Sequence, residues 1–167
     1  MLESAEGWSD NWAWGVPLVV LTVLVHAFGL AFIHQYGVGR FATHLQMRRS
    51  ATVFAVIVGT TALLLTVLHA AEATIWAFAY VRLGGLSDAR SAMLFSLNAL
   101  TTYGHDNLGL APRWRLMGAL EALNGVILFG LSTAYLFAVV QGHWPSRGHV
   151  DSQPTLPGLP ASPKPPT

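Results

Sequence analysis

Three stretches of this chain are long and apolar enough to cross a bilayer, and that constrains its fold more than any other feature. A hydrocarbon core of ~30 Å needs about 20 mostly apolar residues at 1.5 Å per residue. Trp14–Ile33 meets this with no charge. Ala51–Leu68 meets it again and runs on through His69, Glu72 and Arg82 without a Gly-Pro break. Leu116–Val140 carries Glu121 as its only charge. Charged residues make up 10% of the chain, against ~25% in soluble domains. That excludes a water-soluble globular fold. A net charge of +1 excludes the clustered basic surface of a nucleic-acid binder. With no cysteine there is no disulfide, thiolate metal site or cysteine nucleophile. The expected fold is an all-α integral membrane protein with transmembrane helices at 14–34, 51–83 and 115–141.

Residues 1–13 hold Glu3, Glu6 and Asp10 but no basic residue. They lack the basic start of a signal peptide, so the first helix is expected to stay in the mature protein. Residues 35–50 hold Arg40, Arg48 and Arg49 with no acid. By the positive-inside rule this loop is cytoplasmic, the 1–13 segment is extracellular and the C-terminus is inside. Arg82, Arg90, Arg113 and Arg115 then fall on the outer side, against the trend. Residues 142–167 hold most of the prolines and read as a disordered cytoplasmic tail.

The informative segment, 87–107, lies between the second and third spans. Ser87-Asp88 marks a helix start, with an acid near the positive end of the helix dipole. Ala89–Leu100 follows as a helix of about 18 Å, too short to cross. Next comes the polar, glycine-containing run Thr101-Thr102-Tyr103-Gly104-His105-Asp106-Asn107. A half-helix between two spans must enter and leave on one face, and its non-helical backbone is tolerated only when buried in protein or lining a watery path. Its negative C-terminal end would favour a cation there. An extracellular loop carrying a surface helix fits the composition equally well.

Three motifs resemble the pore module of the potassium channel family, especially its small bacterial members, over roughly residues 63–141. They are the T-T-x-G run, the W-R-L-x-G-A-L-E-A-L-N-G entry at Trp114–Gly125, and L-F-G-L-S-T-A at Leu128–Ala134. The resemblance implies a homotetramer, since each chain supplies one quarter of a filter. It also implies a bacterial inner membrane, a permeant K⁺ or other monovalent cation, and no cofactor or further metal. The family's filter reads T-x-G-Y-G-D. Thr102 and Gly104 match its threonine and first glycine, with Tyr103 between them. His105, Asp106 and Asn107 depart from its tyrosine, second glycine and aspartate.

Asp106 lacks the conformational freedom a glycine gives, though Asp tolerates left-handed backbone better than most residues. His105 is smaller and more polar than a tyrosine packed outward. Asn98 lies four residues before Thr102, placed to bond His105, Asn107 or filter backbone. His69, Glu72 and Trp76 share one helical face, and Glu72 is expected to bond the back of the pore loop. Glu121 and Asn124 are expected in the scaffold. The resemblance puts Phe129, Thr133 and Phe137, four residues apart, on the inner cavity, and Gly125 serves either as a hinge or as a close-packing point. His26, His34 and His44 show no paired spacing that recurs on a second helix, so satisfied or interfacial histidines are expected rather than haem or metal ligands. Catalysis is not expected, because the sequence shows no nucleophile–base pair or metal-binding cluster. Two functions fit: a cation-conducting pore with a non-standard filter, or a non-conducting sensor or assembly subunit on the same scaffold.

Overall fold

The structure, a computed structural model, describes residues 2–38, 51–104 and 109–144, with helices and turns but no strand among them. Helix α1 runs Leu2–Phe32 and widens into a π-helical turn at Ile33–Val38. Helix α2 is Ala51–Arg82, the short α3 is Ala89–Leu100, and α4 is Arg115–His143, preceded by a 3₁₀ turn at Pro112–Trp114. Three helices are long and apolar enough to span a membrane: Gly7–Tyr36, Ala51–Arg82 and Pro112–His143. Residues 39–50, 105–108 and 145–167 lie outside the described residues. The arginine-rich loop, the second half of the filter-like run and the proline-rich tail therefore fall almost wholly there.

Helix α1 begins well before the apolar stretch, and its first turns dock on the start of α4. Asp10 pairs with Arg113. The Asn11 side chain donates to the Arg113 carbonyl at 2.6 Å and accepts the Met117 N–H at 2.7 Å. That N–H belongs to the first turn of α4, which has no helical acceptor of its own. Buried positions along α1 and the π-helical turn are Asn11, Gly15, Thr22, His26 and Ile33, spaced alternately four and seven apart, an eleven-residue repeat that keeps one seam facing a partner. Thr22 Oγ1 accepts from Asn124 at 2.7 Å, and His26 meets Ser132. Helices α1 and α4 therefore run side by side in the same direction.

Helix α2 runs the opposite way. Ile57 packs with Val139, His69 meets Ser132, and the Trp114 indole donates to the Leu83 carbonyl at 3.0 Å. The buried set is rich in polar groups (Thr61, Glu72, Glu121, Asn124), whereas Phe28, Phe32, Leu63, Val67 and Leu123 are exposed. This inverts the pattern of a soluble protein and suits a lipid surround, where interhelical hydrogen bonds and small residues hold helices together. Exposed Trp8, Trp12 and Trp14 cluster at one end of the bundle, with Tyr36 and Trp144 at the other. Residues 12 to 36 of α1 span roughly 36 Å at 1.5 Å each, and aromatic girdles belong at both membrane–water boundaries.

Candidate functional site

Helix α3 starts where its cap is strongest. Asp88 has extended backbone, and its carboxylate accepts the Ser91 N–H at 2.9 Å, which holds its pKa below the usual carboxylate range. The helix then follows the first half of α4, with Phe95 against Gly118 and the Leu100 carbonyl against Gly125. It ends beside Ala73 and Leu128, near the middle of α4. The chain returns to its starting level, where the Ala111 N–H donates to the Gly85 carbonyl at 3.1 Å. Helix α3 is held from behind by one buried carboxylate. Glu121 accepts from Tyr80 at 2.6 Å and from Ser96, and Ser96 also reaches the Ala73 carbonyl at 2.8 Å.

After Leu100 the backbone alternates in hand. Thr101 is right-handed, Thr102 has φ 55° and Gly104 has φ 91°. A non-glycine residue at positive φ is uncommon and strained, so Thr102 stands out. Its N–H donates to the Ala99 carbonyl and the Tyr103 N–H to the Asn98 carbonyl, both at 3.0 Å. Thr101, Thr102, Tyr103 and Gly104 are exposed, Tyr103 at 83%. Behind them lies a cavity of about 560 Å³ lined by Asn98, Thr102, Gly104, Arg115 and Gly118. The bonds expected between Asn98 and His105 or Asn107, and the geometry of Asp106, lie outside the described residues.

Glu72, expected to bond the loop after α3, pairs instead with two histidines among the described residues. Among the described residues the buried carboxylate that bonds α3 is Glu121. Glu72 is fully buried between α1 and α2, with Oε1 at 2.7 Å from His26 Nδ1 and Oε2 at 3.1 Å from His69 Nδ1. Ser132 Oγ of α4 closes the ring, 3.0 Å from His69 Nε2 and 3.2 Å from His26 Nε2. His26, His69 and Glu72 thus bring three possible metal-ligand atoms within 4.8 Å of one another. No histidine spacing within one helix could reveal this grouping, because its members come from two helices, α1 and α2. The i, i+3 pair His69 and Glu72 was the visible half of the signal.

On α4, Phe129, Thr133 and Phe137 share an exposed face, and Phe129 stacks on His69 with ring centroids 4.4 Å apart. Gly125 is a point of close packing within an unbroken helix. His34 lies edge-on to Tyr135. No protein-family model, curated protein or solved structure matches the chain.

Proposed function

We propose that the protein is a cation-conducting pore built from four copies of this chain, with α3 as a re-entrant half-helix and Thr101–Asn107 as a non-standard filter. The observation that carries this reading is the backbone at the end of α3. A short helix stops at mid-depth, delivers a strained left-handed Thr102 and a left-handed Gly104 to an exposed edge, and returns to the side it came from. Alternating handedness is what lets successive carbonyl oxygens face one axis, where they replace the hydration shell of an ion. An isolated protomer leaves these residues without a lining partner, as expected of one quarter of a ring. The negative end of the α3 dipole faces the same edge.

Exposed Phe129, Thr133 and Phe137 then line the inner cavity, and the protein sits in the bacterial inner membrane with its N-terminus outside. The test is purified protein in planar bilayers under K⁺ and Na⁺ gradients, with chemical cross-linking to count subunits. Cation current from a tetramer is the expected outcome. It falls as pH drops from about 8 to about 5.5, through the ~6.5 of an ordinary histidine, and His105→Tyr removes that dependence. Folded tetramers with no current would overturn the pore and leave the non-conducting sensor or assembly subunit.

A further inference from the structure

The ring formed by His26, Glu72, His69 and Ser132 is short of hydrogen. A neutral imidazole has one N–H and a serine one O–H, so the two histidines and Ser132 supply three hydrogens for four contacts around an ionised Glu72. The unsatisfied contact is the one between His69 and Glu72. His69 Nδ1 and Glu72 Oε2 lie 3.1 Å apart, both buried, and neither has a hydrogen-bond partner. Buried polar atoms without partners are rare and call for an explanation, a bound ion among them.

We propose that His26, His69 and Glu72 form a binding site for a divalent transition-metal ion, with Zn²⁺ the best chemical fit. If both Nε2–H groups donate to Ser132 Oγ, which has two lone pairs, both Nδ1 lone pairs turn toward the Glu72 carboxylate. Two imidazole nitrogens and a carboxylate oxygen then face one another within 4.8 Å. An ion held at ~2.0–2.1 Å in tetrahedral geometry keeps its ligand atoms about 3.3 Å apart; His69 Nδ1 and Glu72 Oε2 are 3.1 Å apart, and the 2.7 Å contact of His26 Nδ1 with Glu72 Oε1 must open as the ion enters. Two nitrogens among three ligands favour zinc-like ions over Ca²⁺ or Mg²⁺, which take oxygen. Ser132 does not bind the ion in this arrangement. It orients both imidazoles from behind, a role whose loss typically lowers affinity by about 10–100-fold. Entry is past Phe129, whose ring covers the partly exposed His69. The ion would tie α1 to α2 directly, and to α4 through Ser132, whether or not the protein conducts.

The experiment uses the full chain in detergent, stripped with a chelator and titrated with Zn²⁺ alone, counting zinc retained per chain after desalting. Co²⁺ replaces Zn²⁺ in a parallel titration read by visible absorption. One retained Zn²⁺ per chain is expected, and Co²⁺ should give the intense d–d bands of a four- or five-coordinate site with nitrogen ligands. His69→Gln and Glu72→Gln should abolish both signals, and Ser132→Ala should weaken binding by about 10–100-fold. A variant with His34, His105 and His143 all changed to Gln should bind as wild type. Absence of retained zinc from the wild type, or retention by folded His69→Gln, overturns the site. If the variants do not fold, the wild-type Co²⁺ spectrum decides alone, because weak octahedral bands also overturn the proposal.

Discussion

Gly125 is the residue on which the placement of α3 turns. A Cβ there would lie closer than 3.0 Å to the Leu100 carbonyl oxygen, a backbone atom that cannot rotate aside. Gly130, five residues on, has nothing within 4 Å of the same position. Gly125→Ala should therefore push α3 off α4 and cost about 1–3 kcal/mol, the scale of overpacking a tight contact. Gly130→Ala should be neutral or slightly stabilising, since Ala is the better helix former. Thermal melting of both variants in one detergent checks the pair, and equal melting temperatures would remove the close approach. Sequence could mark Gly125 as a hinge or a packing point but could not choose, because the choice depends on where α3 ends. Glu72 and Glu121 pose the same difficulty. Each was legible as a costly intramembrane carboxylate, but in a helix apolar all round the sequence does not say which neighbour a face meets.

At the scale of elements, α3 was the most legible. A capping Asp88, twelve residues without a breaker and a glycine-containing exit defined it, and the helix occupies Ala89–Leu100. The cap also predicts a pH dependence. Because the Ser91 N–H lowers the Asp88 pKa in the fold, the contribution of the ionised cap is complete above the unfolded value of ~3.9 and is lost as pH falls through the lower folded value. Hydrogen exchange over Arg90–Ala92 should be faster in Asp88→Ala than in wild type at neutral pH. The difference should persist to about pH 5 and close only at more acidic pH, below that ~3.9. An unchanged exchange rate at neutral pH would show that the cap does not hold α3. Less legible was the beginning of α1. Its first turns are too polar for a span, and their helicity rests on Asn11 and Asp10 docking on α4, contacts between residues about a hundred positions apart.

Across the whole molecule, the bundle has two ends that can be told apart chemically. Ser87 belongs to the end that holds Asn11, Leu83 and Trp114, and Gly142 to the end that holds Ile57 and Trp144. The chain has no cysteine, so single Ser87→Cys and Gly142→Cys variants report without background. A membrane-impermeant thiol reagent should label Ser87→Cys from outside intact cells, and Gly142→Cys only after the membrane is opened. Reversal of the two would keep the fold and invert the orientation read from the arginines. Labelling of both from one side would contradict three crossings.

The polar seam of α1 has a consequence for how the protein is made. Asn11, Thr22 and His26 find partners on α2 and α4, and the Asn11 partner Met117 is 106 positions away. At ~5–20 residues per second the ribosome needs roughly 5–20 s to reach it. Until then the Asn11 amide and the Thr22 hydroxyl lack the α4 partners they have in the fold. Helix α1 can meet α2 through His26 and Glu72 early, but its polar seam is complete only when α4 arrives.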